Sequence, residues 1–208
     1  MNIAPIEILS GTATSSVILL HGLGASGDDL EPVAHALKLR DVRFILPHAP
    51  IRPVTVNNGY RMPAWYDIRQ TDICTDPDET GLQESRATVA ALIEQEAARG
   101  IAPERIVLAG FSQGGAVALY SGLTLDIPLA GIAGLSAYLP MPTESGQTAP
   151  VWIGHGKDDE IIPLAASLRS FSGFPADRLT THVYRMGHEI CAEEIADLRN
   201  WLSLRLPP

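Results

Sequence analysis

Cysteine is scarce in this sequence, and its two copies are poorly placed for covalent or metal chemistry. Cys74 and Cys191 lie far apart in the chain, and neither belongs to a CxxC pair. Disulfide scaffolds and thiolate metal sites need several cysteines at short, regular spacings. We therefore predict two free thiols, no disulfide framework and no thiolate metal site.

Basic residues are also few relative to acidic ones. The chain has 15 Lys and Arg against 24 Asp and Glu, which gives a formal net charge of −9 at pH 7. Nucleic-acid binding depends on basic side chains that neutralise phosphates, and an anionic membrane surface attracts the same side chains. The charge balance therefore argues against nucleic acid and against an anionic membrane surface as partners.

Long hydrophobic runs are missing as well. A helix that spans a bilayer needs roughly 18 consecutive apolar residues, and this sequence has no such run. The first residues, MNIAPIEILSG, lack the positively charged region and the long apolar region that are typical of a secretory signal. We expect no stable membrane insertion and a cytoplasmic location.

The hydrophobic residues that are present indicate a globular protein with a large buried sheet. Of 208 residues, 46% are hydrophobic and 19% are charged, and we predict one domain over residues 1–208. Short β-branched runs alternate with stretches of helical period, which predicts an α/β fold with a mostly parallel sheet and helices on both faces. The predicted strands are 15–22, 42–47, 105–110, 129–136, 149–156 and 179–186. The predicted helices are 28–39, 82–99, 113–124, 163–172 and 189–203.

Residues 49–81 do not follow this alternation. They are rich in Pro, Asn, Asp and Gly. A long irregular segment inside a compact domain is usually functional or disordered. The segment also carries large apolar side chains, namely Tyr60, Met62, Trp65, Tyr66 and Ile73. We predict an ordered flap, and the alternative is a surface connection whose aromatic residues pack on the core.

The stretch GFSQGG, residues 110–115, places a serine between two glycines, after an apolar strand and before a helix. Glycines at 110 and 114 remove side-chain bulk, so a sharp turn can present the Ser112 hydroxyl above the carboxyl edge of the sheet. The following helix start offers free N–H groups and a positive dipole end. These features predict that Ser112 is a nucleophile, whereas the alternative is a small residue in a tight turn.

A nucleophilic serine needs a base, and on this type of fold the acid and then the histidine follow it along the chain. Three histidines follow Ser112. His182 lies within a predicted strand, and His155 lies too close to an acidic cluster to be a separate third member. His188 lies between the last strand and the last helix, in a loop that can bring an imidazole to the serine. We therefore predict that His188 is the base.

The acid is expected within HGKDDE, directly after the fifth predicted strand. Asp158 and Asp159 are both candidates, because a shift of one residue decides which carboxylate points inward. A divalent metal site at Asp158, Asp159 and Glu160 is disfavoured, since consecutive residues cannot all face one ion and no neighbouring ligands are evident.

A second glycine-bearing turn, HGLGAS, follows the first predicted strand at residues 21–26. In this type of fold an oxyanion is bound by the N–H of the residue after the nucleophile and by an N–H from an early strand-to-helix loop. Gln113 and Leu23 are the candidates, and His21 is expected to anchor the loop through hydrogen bonds. The segment GLGASG lacks the GxGxxG spacing of a dinucleotide-binding turn.

Seven motifs together resemble the carboxylesterase and acyl-protein thioesterase family of α/β-hydrolases, which is also described as a lysophospholipase family. They follow the order and spacing of that family from about residue 15 to residue 200 and are HGLGASGDD, LPHAP, MPAWYDI, GFSQGGAVALY, GLSAYLP, HGKDDEIIP and MGHEI. The resemblance implies Ser112, Asp159 and His188 as the catalytic residues, so it selects Asp159 over Asp158. It also implies Leu23 and Gln113 as the oxyanion-hole positions. The residue before the acid is commonly uncharged in the family, whereas here it is Asp158.

The same resemblance implies an α/β-hydrolase fold without a large cap domain, in which residues 60–75 shape an acyl channel with Trp65 near the site. The apolar side chains of Leu23, Trp65, Ile73 and Met62 are expected to form the substrate groove. The expected function is hydrolysis of short- to medium-chain carboxylic esters through an acyl-enzyme, with no cofactor or metal.

Three alternatives to the ester hydrolase stay open at this stage. Two are enzymes, an acyl-protein thioesterase and a lysophospholipase. The third is a fold that keeps a hydrophobic pocket but has lost catalysis. The expected partner is a small-molecule ester or thioester, and a homodimer is a further expectation from the family resemblance and the apolar flap.

Overall fold

The fold is built around a seven-stranded sheet in the residues that this computed structural model describes, which are 3–70, 75–142 and 148–206. The strands in chain order are β1 (Ile6–Leu9), β2 (Ser15–Leu20), β3 (Val42–Leu46), β4 (Ile51–Val54), β5 (Tyr60–Pro63), β6 (Ile106–Phe111), β7 (Gly131–Leu135), β8 (Val151–Gly156) and β9 (Leu179–Tyr184). The α-helices are α1 (Glu31–Leu37), α2 (Glu79–Ala98), α3 (Gln113–Thr124), α4 (Leu164–Ser170) and α5 (Ala192–Arg205).

The order of strands in the main sheet is β1-β3-β2-β6-β7-β8-β9. β1 pairs with β3 in the antiparallel direction, and the other neighbouring pairs are parallel. The predicted α/β class with a mostly parallel sheet is therefore confirmed. Because parallel strands end at one edge of the sheet, the loops after β2, β6, β8 and β9 meet at its carboxyl edge.

Both faces of the sheet are covered, as the continuous apolar strands require. In β2, Ile18 and Leu20 belong to one hydrophobic cluster, and the alternating Val17 and Leu19 belong to another. The first cluster includes residues of α2 and α3, and the second includes residues of α1 and α5. Within the described ranges, no helix combines the length and the apolar character that crossing a bilayer requires.

The predicted strands and helices are all present, with small shifts at their ends, but three strands were not predicted: β1 in the main sheet, and β4 and β5 outside it. β1 has only four residues and an alternating burial pattern, because it lies at the sheet edge. The predicted helix over 28–39 begins as a 3-10 turn at Gly27–Leu30, and α1 itself starts at Glu31. A capping box between Ser26 and Asp29 starts that turn.

The expectation of an irregular segment over residues 49–81 is wrong for its first half. β4 and β5 form a separate antiparallel pair, in which Ile51 pairs with Pro63 and Val54 with Tyr60. Asn58 and Gly59 both have positive φ in the connection, as hairpin turns often require, so the Asn-Gly pair was the sequence signal. After the hairpin, Trp65 and Tyr66 are buried against the main core, so this part of the segment is ordered.

Candidate active site

Ser112 lies in a strained turn between β6 and α3. Its φ of 53° and ψ of −121° are unfavourable for a residue with a side chain. The close backbone contacts around it explain the two flanking glycines. A methyl group at Gly110 would collide with the backbone of Gly114, and one at Gly114 would collide with the carbonyl groups of Leu20 and His21. The turn therefore holds the serine above the sheet edge.

The structure brings the three predicted catalytic side chains together. His188 Nε2 lies 2.9 Å from Ser112 Oγ, and His188 Nδ1 lies 2.8 Å from Asp159 Oδ2. The Ser112 hydroxyl can thus donate its proton to His188, while the other ring nitrogen donates to the carboxylate. Phe111 packs against the imidazole, with ring centroids 4.9 Å apart. This geometry suits proton transfer from a serine hydroxyl.

Asp159 points inward, and Asp158 is exposed. Asp159 Oδ1 accepts hydrogen bonds from the backbone N–H groups of Ile161 and Ile162, at 2.9 Å and 2.8 Å. These bonds fix the carboxyl plane and leave Oδ2 for His188. They also supply the partners that a buried carboxylate needs.

His155 is a second histidine near Asp159, and it lies close to the same carboxylate oxygen that His188 contacts. Its Nε2 is 2.8 Å from the Ile162 carbonyl and 3.4 Å from Asp159 Oδ2. Burial lowers the pKa of His155, although its bond to Ile162 and the nearby Asp159 carboxylate act in the opposite direction. A neutral imidazole that donates to the Ile162 carbonyl fits these contacts.

Leu23 and Gln113 flank Ser112 at the carboxyl edge. A methyl group at Gly22 would lie only 3.5 Å from Ser112 Cβ, so the Leu23 loop passes directly beside the serine. Within the described ranges, neither the Leu23 nor the Gln113 amide donates to a backbone carbonyl. Both amides are therefore free for an oxygen atom of a ligand.

His21 anchors the loop that carries Leu23, as predicted. Its Nε2 accepts a hydrogen bond from the Ala49 amide at 3.0 Å, so Nδ1 carries the proton and donates to the Gly22 carbonyl at 2.8 Å. Burial is the main cause that lowers the pKa of His21. A neutral ring is required, because Nε2 acts as an acceptor.

A cavity of about 660 Å³ opens at Ser112 and His188. This volume lies in the range that small-molecule sites use. Leu30 and Val33 line one side and belong to the hydrophobic cluster of α1 and α5. Tyr66 and Tyr138 line the other side and belong to the cluster of α2 and α3. The cavity therefore extends over both faces of the sheet, with Ser112 between the two sides.

The predicted substrate contacts are only partly supported. Leu23 lines the cavity, whereas Trp65 and Met62 do not. Trp65 is buried in the core, where its indole N–H donates to the His21 carbonyl at 2.8 Å. Met62 lies on the hairpin, where its sulfur accepts from Asn57 and faces Gly24. Ile73 lies outside the described residues.

Sequence reasoning missed Tyr66 and Tyr138 as cavity residues. Their hydroxyl groups lie 2.8 Å apart, and both side chains are buried. Tyr138 lies in the loop after β7, so its place near the carboxyl edge of the sheet was a usable signal. Tyr66 follows the hairpin in an irregular segment, where no periodicity indicates which way a side chain points.

Apart from two histidines and two tyrosines, the titratable side chains that line the cavity are carboxylates. Asp29 and Glu189 line the cavity, and no lysine or arginine of the described chain does so. In the same described ranges, no group of three or more His, Cys, Asp or Glu side chains is placed to bind a metal ion.

The comparisons with known proteins agree with this geometry. A sequence model of the phospholipase/carboxylesterase family matches residues 1–206. Acyl-protein thioesterase 1 of Gibberella zeae is 38% identical over 230 residues, which cover 99% of this chain and 97% of that protein.

Two solved plant proteins have the same fold. The crystal structure of Arabidopsis thaliana SOBER1 has a TM-score of 0.84 at 31% identity and covers 95% of this chain and 100% of its own. Zea mays acyl-protein thioesterase 2 has a TM-score of 0.86 at 28% identity and covers 97% and 98%. The family resemblance and the α/β-hydrolase fold are confirmed, and this chain belongs to the phospholipase/carboxylesterase family of ester hydrolases.

Proposed function

We propose that this protein is an acyl-protein thioesterase that uses Ser112 as its nucleophile. The observation that carries the proposal is the continuous chain of hydrogen bonds from Ser112 through His188 to Asp159 at the cavity. His188 removes the proton from Ser112, whose oxygen attacks the acyl carbonyl carbon. Asp159 stabilises the imidazolium that forms.

The oxyanion of the tetrahedral intermediate binds to the free amides of Leu23 and Gln113. His188 then protonates the leaving thiolate, the carbon–sulfur bond breaks, and the acyl group stays on Ser112 as an ester. Water adds to this ester with His188 as the base, and the carboxylic acid leaves as Ser112 regains its proton. The two-sided cavity provides one apolar side for the acyl chain and another for the leaving group.

One observation favours an acyl thioester on a protein over a simple ester, and a second argues against a lysophospholipid. The curated relative from Gibberella zeae is an acyl-protein thioesterase. In addition, Asp29 and Glu189 in the cavity lining repel a leaving group that carries phosphate. The carboxylesterase interpretation stays as a second candidate, because an oxygen ester reacts through the same acyl-enzyme.

A matched set of substrates tests this assignment. We expect a higher kcat/KM for a peptide S-octanoylated on cysteine than for the same peptide O-octanoylated on serine or for an octanoyl lysophospholipid. Ser112→Ala should lower every rate by about 10³-fold or more. A lysophospholipid as the best substrate would contradict the thioesterase assignment, and near-normal activity of Ser112→Ala would contradict the nucleophile. The predicted homodimer can be checked by light scattering of the purified protein.

A further inference from the structure

Trp65 connects the two loops that carry the proposed oxyanion donors, although it does not line the cavity. Its indole N–H donates to the His21 carbonyl at 2.8 Å, two residues before Leu23. Its backbone N–H donates to Gln113 Oε1 at 2.9 Å. Trp65 is 1% exposed, so water does not compete for either bond.

The side chain of Gln113 makes a second hydrogen bond to the same segment. Its Nε2 donates to the Tyr66 carbonyl at 2.8 Å. The amide group of Gln113 is therefore bonded to two successive residues, Trp65 and Tyr66, and is itself 2% exposed. A buried amide that loses such partners is penalised by about 1–3 kcal/mol, so the side chain of Gln113 is held in one orientation.

The position of this link matters because the two loops lie beyond the last hydrogen-bonded pair of β2 and β6. The β2–β6 ladder ends where Leu20 pairs with Gly110. Leu23 and Gln113 lie beyond that pair, each on its own loop. Two amides on separate loops must point at one oxygen, and removing one oxyanion donor lowers kcat by about 10²- to 10³-fold in other enzymes.

We propose that Trp65 is a positioning residue for the oxyanion hole. With the Gln113 side chain it ties the His21–Leu23 loop to the start of α3, so that both amides point at the reacting carbonyl oxygen. This inference rests on the proposed function, since it requires Ser112 as the nucleophile. It predicts an effect on kcat rather than on substrate binding, because the oxyanion exists only after the attack.

Three variants test the link, with one matched control on the same segment. Trp65→Phe removes the indole N–H, Gln113→Met removes both side-chain bonds, and the double variant removes all three. We expect each single variant to lower kcat by about 10- to 100-fold on acetyl and octanoyl substrates alike, with KM within about threefold of wild type. Because both changes break the same link, their effects should not multiply. The kcat of the double variant should be at most about threefold below that of the less active single variant.

Thr55→Val is the control, because the Thr55 hydroxyl holds Asp67 of the same segment at 2.6 Å, away from the serine. It should keep wild-type kcat. Three outcomes would overturn the inference. They are a folded single variant with wild-type kcat, an effect confined to KM, and losses of kcat that multiply in the double variant. Ser112→Ala is assayed in parallel. An active Ser112→Ala would show that the proposed function is wrong, whereas an inactive one would confine the failure to the role of Trp65.

Thermal unfolding shows whether each variant is folded. If neither single variant folds, hydrogen exchange of the wild-type protein provides the test. The indole and backbone N–H groups of Trp65 should exchange as slowly as the amides of β6. Exchange as fast as that of exposed loop amides would show that the link does not hold the loops.

Discussion

The two edges of the parallel sheet both contain a buried carboxylate with several partners, but only the carboxylate at the carboxyl edge lies beside the cavity of Ser112. At the carboxyl edge, Asp159 contacts His188 and two backbone amides beside the cavity of Ser112. At the amino edge, Glu96 of α2 accepts hydrogen bonds from Arg43, Arg99 and Ser16. None of these four residues lines the cavity at Ser112.

The difference shows that a buried, fully partnered carboxylate does not by itself indicate a catalytic site. Glu96 is surrounded by cations, so its charge is neutralised within the fold. The partner of Asp159 is an imidazole, which can gain a proton when the serine reacts. In the proposed mechanism, the carboxylate at the carboxyl edge therefore acts when Ser112 reacts, whereas the one at the amino edge pairs with cations that belong to the fold.

The largest expected effect comes from Asp159→Asn. The amide keeps the shape of the side chain but cannot stabilise an imidazolium, so kcat should fall by about 10³- to 10⁴-fold. Steady-state kinetics on an octanoyl thioester gives the measurement, and Asp158→Asn is the matched control that should keep wild-type kcat. If only Asp158→Asn showed a comparable loss of kcat, the acid would be Asp158 and the assignment of Asp159 would be wrong.

Glu96→Gln should lower stability and leave kcat unchanged, which is the reverse of the result expected for Asp159→Asn. The guanidinium groups of Arg43 and Arg99 lose their buried counter-charge, so the free energy of unfolding should fall by about 3 kcal/mol. Urea denaturation measures this loss, and kcat should stay at the wild-type value under conditions in which the variant is folded. A stable Glu96→Gln protein with strongly reduced kcat would show that the two edges are coupled.

Glu194 on α5 extends the comparison to a buried carboxyl that has no cation or imidazole as a partner in the part of the chain that the structure describes. Neither of its oxygens has a hydrogen-bond partner of good geometry within the described ranges. Burial raises its pKa from 4.5 to about 8, although the nearby Cys191 backbone acts in the opposite direction. Between these values the unfolded chain releases the proton and the folded protein retains it. Stability therefore falls as the pH rises through this range, by roughly 1.4 kcal/mol per pH unit.

Glu194→Gln should remove this slope, because an amide does not titrate. Between pH 6 and pH 7.5 the variant should gain about 2 kcal/mol of unfolding free energy relative to wild type. Urea denaturation of both proteins across this pH range gives the difference directly. Parallel pH profiles would indicate that the carboxyl is already ionised in the folded state.

The smallest effect concerns backbone strain. Lys38, in the connection between α1 and β3 on the amino side of the sheet, has a φ of 51°, close to the 53° of Ser112. Lys38→Gly should relieve strain and raise the unfolding free energy by about 0.5–1 kcal/mol without changing kcat. Thermal unfolding measures the gain, and a destabilised variant would show that the lysine is not strained there.

Much of the fold could be predicted because its strands are apolar runs separated by helical stretches. The order of Ser112, an acid and His188 also follows from the chain, since loops after parallel strands meet at one edge. The choice of Asp159 over Asp158 depended on the family resemblance, because periodicity does not resolve neighbouring residues in a loop.

Other features depend on tertiary contacts that a sequence pattern does not contain. β1 is too short for its alternation to be distinctive, and its pairing with β3 joins distant parts of the chain. Trp65 was predicted to contact substrate because large apolar side chains often line grooves. Two of its hydrogen-bond partners, His21 and Gln113, lie 44 and 48 residues away in sequence, which is why its buried position was not predicted.

The most direct test of the central claim is the mass of the protein after reaction with a fluorophosphonate, followed by peptide mapping. We predict one covalent adduct per chain, located on Ser112, with no adduct in Ser112→Ala and slow labelling of His188→Ala. Adduct formation that persists in Ser112→Ala, or an active wild-type enzyme that is not labelled, would contradict the assignment of Ser112 as the nucleophile.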